Sequence, residues 1–389
     1  MPAQQLTVEQ HINAGLIPPV LVRNEPLART PLTARMKELN VSAVSIAVIR
    51  NGKLEWAGGF GIRDEAGSPV TVDTLFQAGS VSKGLTTAAV MTLVQDRTLN
   101  LDADVNQYLK GWKIPQSSFT DQRAVTLRQL LSHAAGVTQS GFGGYWAGGP
   151  IPTLVQVLNG EAPARNPPIR VDVTPGTIRR YSGGGYVIVQ QALLDRTGTP
   201  FPQLLRERVL APFGMSQSTF EQPLTPALLA RAAMPSAIDG TPLREGPHVY
   251  PEMAPAGLWT TASDLARFAI GIQRALAGLS EGVLSQASVR SMLSGGPQGL
   301  QAPSMRPGPV GLGFPSGGQT DRKYFFLPGG NAGYSAYMLA YEEGDGAAVM
   351  VNGNSGNSSR LTQDIIRTVA YAYDWPDFAP VQRTLTTTT

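Results

Sequence analysis

Both ends of this 389-residue chain carry β-hairpin patterns, and the middle does not. Residues 42–62 form two β-rich runs joined by Asn51-Gly52, a pair that tolerates the positive φ angles of a two-residue hairpin turn. A second hairpin is predicted where Tyr337–Tyr341 and Ala347–Val351 flank the sequence EEGDG, with a helical pattern over Thr362–Tyr373 behind it. Strands from distant parts of a chain find partners most simply in one shared sheet.

The middle of the chain is predicted to be helical. Runs of helical composition separated by Gly and Pro loops cover Leu127–Leu131, Tyr186–Thr197, Pro202–Leu210 and Ser263–Leu276. We therefore predict an α/β (α+β) fold in which an antiparallel sheet, built from both chain ends and flanked by helices, is joined by a mostly helical inserted domain. The predicted boundaries are 25–115 and 295–378 for the discontinuous sheet domain, 116–294 for the helical domain, and 379–389 for a disordered tail.

Composition limits the classes of function. The chain has 31 basic and 28 acidic residues, and a net charge of +3 creates no broad field for nucleic acid or an anionic membrane. It has no cysteine, which excludes disulfides, thiolate zinc sites and cysteine nucleophiles. No signal peptide pattern is visible, and no apolar run approaches the roughly 18 residues of a spanning helix. We expect a cytoplasmic protein as the chain stands, or a periplasmic or secreted one if a leader was removed; the oligomeric state stays open.

A serine and a lysine at helical spacing form the first candidate for chemistry. Residues 77–87 read QAGSVSKGLTT, and the apolar pattern that follows predicts a helix with Ser80 and Lys83 in its first turn. Side chains three apart lie on one helix face, so the ammonium can reach the hydroxyl, while the unpaired amides of the turn point toward developing negative charge. For so short a pattern, the alternative is an N-cap serine beside a solvated lysine.

Five sequence patterns follow one another along the chain, namely FQAGSVSKGLTT (76–87), LDADVNQYL (101–109), TLRQLLSHAAGV (126–137), TPGTIRRYSGGGY (174–186) and LWTTASDLARF (258–268). In this order they resemble the landmarks of the serine β-lactamase-like superfamily. This superfamily includes class C β-lactamases, penicillin-binding D,D-peptidases, D-aminopeptidases and family VIII carboxylesterases. The resemblance extends over roughly residues 30–375 and implies a β-lactamase/transpeptidase-like fold.

The resemblance implies that Ser80 attacks an acyl carbon, that Lys83 accepts or relays its proton, and that Tyr181 completes the acid/base set. Free tyrosine titrates near pH ~10 and free lysine near ~10.4, so neither is a base at neutral pH without help from its surroundings. A phenolate beside an ammonium is stabilised by their attraction. We therefore assign proton transfer to Lys83 and Tyr181 as a pair rather than to one member.

The chain departs from the superfamily pattern at two positions. The stretch LPGGNAGYSAY (327–337) corresponds to the landmark Lys-Thr-Gly or His-x-Gly, and Pro328 stands in the place of the cation. Gly183 stands where many members have asparagine after Tyr-x. A cation at the position of Pro328 can pair with the carboxylate of a penicillin or D-peptide. An asparagine at the position of Gly183 commonly bonds a substrate amide. Both departures favour simple esters over lactams and peptides.

The substrate-binding groups are predicted from the same stretch. The backbone amides of Ser80 and Asn331 are the expected oxyanion hole, the second carried over by position. Gly329 and Gly330 would let substrate approach the strand. Aromatic side chains are enriched in ligand pockets, and the candidates of this kind are Tyr145, Trp146 and Tyr334.

Several other residues attract attention without carrying a role. Ser280 lies in a Gly-x-Ser-x-Gly pattern, but that motif needs a later histidine and none follows His248. His133 is predicted to be a hydrogen-bonded structural residue. His11 and His248 have no carboxylate neighbours at ligand spacing. No metal and no cofactor is therefore expected.

The predicted function is that of a metal-free serine hydrolase with an acyl-enzyme at Ser80, acting as a carboxylesterase on short-chain esters. The substrate is a small-molecule ester or amide. The alternatives are a D-amino-acid peptidase or amidase, a β-lactamase-type activity, an acyl transferase, and a non-turnover acyl-binding sensor. A peptidase would need a cation for a peptide terminus, and the candidates are Arg179, Arg180, Arg322 and Lys323.

Overall fold

The computed structural model describes residues 6–279, 282–302, 305, 310–318 and 321–384, so Ser280 lies outside the described residues. The strands are β1 (Val20–Val22), β2 (Ala43–Arg50), β3 (Lys53–Gly61), β4 (Phe76–Gln77), β5 (Trp259–Thr260), β6 (Ser316–Gly318), β7 (Lys323–Asn331), β8 (Tyr334–Tyr341), β9 (Gly346–Asn352) and β10 (Val381–Arg383). Within these residues the main sheet has six strands in the order β3-β2-β9-β8-β7-β6, and all its pairings are antiparallel.

The two predicted hairpins are confirmed, and they meet in the middle of this sheet. Asn51 and Gly52 have φ angles of 51° and 69°, which is the left-handed region that the turn between β2 and β3 requires. β8 and β9 form the second hairpin, and β2 pairs with β9 from Val44 opposite Val351 to Ile49 opposite Gly346. The prediction that both chain ends build one sheet is therefore correct.

Helices cover both faces of the sheet. They are α1 (Val8–Asn13), α2 (Leu32–Glu38), α3 (Ser82–Gln95), α4 (Leu127–Leu131), α5 (Leu154–Asn159), α6 (Gly183–Thr197), α7 (Phe201–Leu205), α8 (Pro226–Leu229), α9 (Met253–Ala256), α10 (Ala262–Leu276), α11 (Gln286–Ser294) and α12 (Gly356–Tyr373). Val44, Ile46 and Val48 of β2 face α1, α2 and α12, whereas Ala47 and Ile49 face the larger core. None of the described helices has both the length and the apolarity to cross a bilayer.

The helix that follows Ser80 lies at the centre of the molecule. A 3₁₀ turn at Gly79–Val81 leads into α3, and every residue of α3 from Ser82 to Leu93 is buried. A helix that is buried all round is held by its neighbours on every side. The side chains of its first turn are therefore fixed by packing.

The chain tail differs from the prediction. Val381–Arg383 were expected within a disordered tail, but they form β10, which pairs in parallel with β1 in the register Val20 opposite Val381. β10 lies just before the low-complexity run TLTTTT (384–389), and its pairing with a distant strand is not visible in the local sequence. Residues 385–389 lie outside the described residues. The domain boundaries stay a prediction; α10 falls in the predicted helical domain and packs on the sheet.

The open edge of β7 positions one backbone amide beside the Ser80 turn. The amide of Phe326 donates to Pro315 on the β6 side, while the carbonyl of Lys323 accepts from Glu342 on the β8 side. Backbone groups alternate along a strand, and the β7–β8 register has no shift. The backbone groups of Pro328 and Gly330 therefore point toward the open edge of the sheet, beyond the end of β6. Proline tolerates this place because it has no N–H to donate.

Glycines let β7 approach the Ser80 turn closely. A Cβ on Gly329 would lie 1.9 Å from the carbonyl oxygen of Ala78. A Cβ on Gly79 would lie 2.6 Å from both the N and the O of Gly330, and Gly79 has a φ of +50°. Such distances are far below van der Waals contact, so larger residues would push the strand away from the turn.

We predict that Gly329→Ala destabilises the protein and that Gly330→Ala does so much less. Forcing a methyl group into a packed contact costs about 1–3 kcal/mol, and at Gly329 the obstacle is rigid backbone. The Cβ of Gly330→Ala would lie 3.0 Å from the side chain of Asn354, which can move. Denaturant unfolding of the two variants measures the difference in the free energy of unfolding. Equal losses would contradict the close approach of Gly329 to Ala78.

Candidate active site

The predicted side chains of Lys83 and Tyr181 both lie within hydrogen-bond distance of Ser80 Oγ. The Lys83 ammonium donates to Ser80 Oγ at 3.0 Å, and the Tyr181 hydroxyl lies in a donor position 2.8 Å from the same Oγ. Ser80 stands in the 3₁₀ turn, Lys83 in the first turn of α3, and Tyr181 two residues before α6. The structure therefore brings together side chains that are 101 residues apart in sequence.

Lys83 is buried in polar and aromatic surroundings. The residue is only 4% exposed. The ammonium donates a second hydrogen bond to the carbonyl of Pro255 at 3.1 Å. It also lies 4.9 Å from the ring centroid of Tyr181 and 5.6 Å from that of Tyr186. A carbonyl and two aromatic faces partly replace the water that this cation has lost.

Tyr181 has a lowered pKa, although burial alone would raise it. Burial disfavours the phenolate, but the positive charge of Lys83 and the hydrogen bonds with Lys83 and Ser80 outweigh that effect and lower the pKa of Tyr181. Hydroxyl hydrogens rotate to suit the charge state. When Tyr181 is ionised, the Ser80 hydroxyl donates to it over the same oxygen–oxygen distance. The arrangement can therefore take a proton from Ser80.

Hydrogen bonds from α3 hold the Pro255 carbonyl in place. Thr86 Oγ1 donates to the carbonyl of Ala254 at 3.0 Å. Ser82 Oγ donates to the carbonyl of Gly79 at 2.6 Å and accepts from the amide of Leu258 at 3.0 Å. These bonds bridge the Ser80 turn, α3 and the two ends of α9. The acceptor that Lys83 uses is fixed by the same helix that carries Lys83.

His133 is a neutral support for Tyr181. Its Nδ1 accepts from the amide of Ser182 at 3.2 Å, and its ring centroid lies 4.5 Å from that of Tyr181. Burial, followed by the charges of Lys83 and Arg179, lowers the pKa of His133 to about 3. A protonated imidazole would be a third cation beside these two. His133 therefore packs against the phenol without carrying charge.

The oxyanion-hole prediction needs one correction. Asn331 pairs with Tyr334, and the alternation along β7 directs its amide toward β8 rather than toward the site. Gly330 presents the amide at the open edge, beside the turn that carries Ser80. The amide of Ser80 lies in the first turn of a helix, where no intrahelical acceptor exists. The two candidate donors are therefore the amides of Ser80 and Gly330.

The side chain of Asn331 has a different place in the site. It is 4% exposed, and its Nδ2 donates to Gln77 Oε1 at 2.8 Å and to the carbonyl of Ala256 at 3.0 Å. Gln77 Nε2 in turn donates to the carbonyl of His248 at 2.7 Å. This buried network ties the end of β7 to β4, which precedes the Ser80 turn. Asn331 therefore fixes the edge strand and does not face substrate.

A cavity of about 100 Å³ opens at Ser80. One water needs on the order of 10–15 Å³ of such space, so the cavity has room for a small acyl group. Its described lining residues are Ser80, Lys83, Ser132, His133, Arg179, Tyr181, Met305, Val310, Gly311, Gly313, Phe314, Pro315, Leu327 and Pro328. Leu327 is on the same strand face as Gly329, and a Cβ on Gly84 of α3 would lie 2.5 Å from its side chain. Leu327 rather than Pro328 therefore occupies the strand position that faces Ser80, and it too is uncharged.

The three aromatic residues that were predicted to bind substrate lie outside the described lining of the cavity. Tyr334 is fully buried, with its hydroxyl donating to the carbonyl of Ala233 at 2.7 Å. Tyr145 is 2% exposed and pairs through its backbone with Val249. Trp146 is 49% exposed and covers Gly148 on the surface. None of the three belongs to the described lining of the cavity.

Gly183 leaves no empty space for the asparagine that many superfamily members have. A Cβ at Gly183 would lie 3.0 Å from the carbonyl oxygen of Ser140 and 3.1 Å from the ring of Phe142. The Gly183 amide donates to that same carbonyl at 3.0 Å. The loop at residues 140–142 therefore occupies the place where a longer side chain would begin.

The sequence analysis did not identify two backbone groups of this site, the amide of Gly330 and the carbonyl of Pro255. The Gly330 amide could have been predicted from the sequence. A proline inside a strand must lie with its backbone nitrogen toward an open edge, and the backbone groups of the residue two positions later point the same way. The Pro255 carbonyl had no signal, since backbone acceptors carry no residue preference.

The comparisons with known proteins agree with this fold. The sequence model of the Beta-lactamase family matches residues 29–372. Penicillin-binding protein 4 of Amycolatopsis lactamdurans is 31% identical over 262 residues, which are 66% of this chain and 66% of that protein. Esterase EstB of Burkholderia gladioli is 29% identical over 285 residues, 64% of this chain and 70% of that protein. The β-lactamase/D-alanine carboxypeptidase of Yersinia pestis, solved with citrate, is similar with a TM-score of 0.68 and 21% identity over 87% of this chain and 95% of that one.

The family match covers far more than half of the chain, and the chain therefore belongs to the Beta-lactamase family. The matched part spans just under two thirds of penicillin-binding protein 4.

We predict that His133 makes the protein less stable in acid. The pKa of His133 is about 3 in the folded protein and near ~6.5 in the unfolded chain, so below ~6.5 only the unfolded chain takes up the proton. Stability is then lost as the pH falls, by on the order of 3 kcal/mol between about pH 6.5 and pH 4. Glu252, whose pKa burial raises to about 7, gives the opposite trend.

The variant His133→Asn isolates this effect, because Asn accepts the Ser182 amide bond and tolerates the φ of 61° at this position. Denaturant unfolding of both proteins at several pH values gives the difference in the free energy of unfolding. Glu252 contributes equally to both and cancels. The advantage of the wild type is expected to shrink as the pH falls, and a difference that is constant with pH would contradict a neutral His133.

Proposed function

We propose that this protein is a serine carboxylesterase for short acyl chains, working through an acyl-enzyme at Ser80. The observation that carries the proposal is the position of Ser80 Oγ, within hydrogen-bond distance of both Lys83 Nζ and Tyr181 OH at the mouth of a small cavity. A nucleophile with a base in reach and amides for the oxyanion is the arrangement that acyl transfer needs.

In the proposed acylation, Ser80 Oγ forms a bond to the ester carbonyl carbon as its proton passes to the Lys83–Tyr181 pair. The carbonyl electrons move to the oxygen, and the amides of Ser80 and Gly330 donate to that oxyanion. The intermediate collapses with cleavage of the bond between the acyl carbon and the alcohol oxygen. The pair then returns the proton to the leaving alkoxide.

In the proposed deacylation, a water molecule takes the place of the alcohol. The pair accepts a proton from this water as the water oxygen bonds to the acyl carbon, and the bond to Ser80 Oγ breaks with return of the proton to Ser80. A carboxylic acid leaves. An alcohol in place of water would give acyl transfer by the same steps.

The strand side of the site favours esters over lactams. The residue that faces Ser80 from β7 is Leu327, so β7 offers no cation at the landmark position for the carboxylate of a β-lactam. The cavity suits a small acyl group. The names of relatives span this range, since they include an esterase, a D-aminopeptidase and a β-lactamase. The esterase name supports the proposal and the other two define the rival activities.

We predict that the purified protein hydrolyses p-nitrophenyl butyrate faster than longer p-nitrophenyl esters and turns over nitrocefin and D-alanine p-nitroanilide poorly. Ser80→Ala is expected to abolish ester hydrolysis, because it removes the nucleophile. Lys83→Met and Tyr181→Phe are expected to lower kcat by roughly 10²–10⁴-fold, the usual range for loss of an acid/base group. Release of p-nitrophenol and nitrocefin absorbance measure these rates.

Mass spectrometry of the intact protein and circular dichroism provide the controls. The variants are expected to keep the wild-type fold, and a transient adduct is expected on the wild type but not on Ser80→Ala. Efficient nitrocefin turnover without ester hydrolysis would overturn the proposal in favour of a β-lactamase. A permanent adduct on Ser80 with no turnover would instead indicate an acyl sensor, and wild-type rates in all three variants would rule out this site altogether.

A further inference from the structure

The described lining of the cavity at Ser80 carries positive charge. Its charged side chains among the described lining residues are those of Lys83 and Arg179, and no Asp or Glu is among them. Both cations lower the pKa of His133, so both lie near the same imidazole. Lys83 has a place in the acid/base pair with Tyr181. Arg179 has no part in the chemistry proposed above.

Arg179 is held at the cavity by its backbone. Its amide donates to the carbonyl of Gln301 at 2.8 Å, and the residue is only 8% exposed. It stands two residues before Tyr181, on the segment that leads into α6. Burial lowers the pKa of its guanidinium, but arginine remains charged in proteins. A desolvated guanidinium is a strong donor to an anion.

The other cations that the sequence suggested are directed elsewhere. Arg180 bonds with Asp172 and with the carbonyl of Gly136, and Arg322 donates to Glu343 at 2.7 Å. Lys323 is exposed at the start of β7. Of the four candidates, Arg179 is the one among the described lining residues of the cavity.

A guanidinium can serve the protein and a ligand together. It keeps its charge whatever contacts it makes within the protein, and its planar fork of N–H donors matches the two oxygens of a carboxylate. The β7 wall of the cavity, by contrast, presents the uncharged Leu327 and Pro328. An anionic group of a substrate therefore meets its cation on the segment that carries Tyr181, not on the edge strand.

We propose that Arg179 binds a carboxylate of the substrate, so that the preferred substrates are carboxylic esters whose acyl part ends in a second, ionised carboxyl group. The inference rests on the proposed ester hydrolysis at Ser80. Arg179 acts here as a specificity-determining residue. It supplies a cation on the segment that carries Tyr181, whereas the β7 residues at the position of the landmark for a lactam carboxylate supply none.

The test compares mono-p-nitrophenyl glutarate with its neutral methyl ester, two substrates that differ in one charge. The ratio of their kcat/KM values is the readout. The wild type is expected to prefer the anionic ester, and Arg179→Met is expected to lower the ratio by roughly 10–100-fold, as for loss of a charge-assisted hydrogen bond. Arg179→Lys is expected to restore part of the preference. Arg180→Met, a matched loss of one charge next to it, is expected to leave the ratio as in the wild type.

A binding experiment separates this inference from the proposed function. Calorimetry with Ser80→Ala protein measures the affinity for monomethyl glutarate and for dimethyl glutarate, which requires no turnover. Stronger binding of the monoester, lost in the Ser80→Ala, Arg179→Met double variant, would support the anion site even if no ester were hydrolysed. A wild-type kcat/KM ratio near one, together with equal binding of the two glutarates, would overturn the inference and leave ester hydrolysis untouched.

Discussion

The buried ammonium of Lys83 is the charge on which the rest of the site depends. Taking an ion out of water costs free energy, and a carbonyl and two aromatic rings offset only part of that cost. A phenolate at Tyr181 would balance this cation, and the attraction between the two groups lowers the pKa of Tyr181 against the effect of burial. In the proposed mechanism, this pair takes the proton that the Ser80 hydroxyl loses as it attacks the acyl carbon. A helix buried on every side holds the cation at its place.

The fold serves this pair by bringing three separate walls to one point. The Ser80 turn and α3 form the first wall, the segment before α6 forms the second, and the open edge of β7 forms the third. Gly79 and Gly329 allow the first and third walls to approach closely. The buried side chain of Asn331 then locks the strand to the turn. Chemistry and stability therefore depend on the same contacts, because a shift of β7 would disturb both.

The parts of this structure that local patterns specify were predictable. Asn51-Gly52 identifies a hairpin by its turn chemistry, and the serine and lysine at helical spacing identify a shared helix face. The direction of a backbone amide depends on how its strand is paired. The position of the motif alone therefore predicted Asn331 as the oxyanion-hole donor, whereas the alternation of backbone groups along β7 places the Gly330 amide at the open edge. Burial of Tyr334 and the pairing of β10 with β1 depend on distant contacts, which a local pattern does not contain. Long-range packing, rather than residue type, made these differences.

The pKa of Tyr181 is the most direct test of the account. Carbon-13 NMR of protein labelled at the tyrosine Cζ reports ionisation of each phenol, and the spectrum of Tyr181→Phe assigns the resonance. Tyr181 is expected to ionise below the value of free tyrosine, about 10, and Lys83→Met is expected to raise its pKa, because the positive charge of Lys83 lowers it. A Tyr181 that titrates at or above that value, or a pKa that does not respond to the loss of Lys83, would contradict the account.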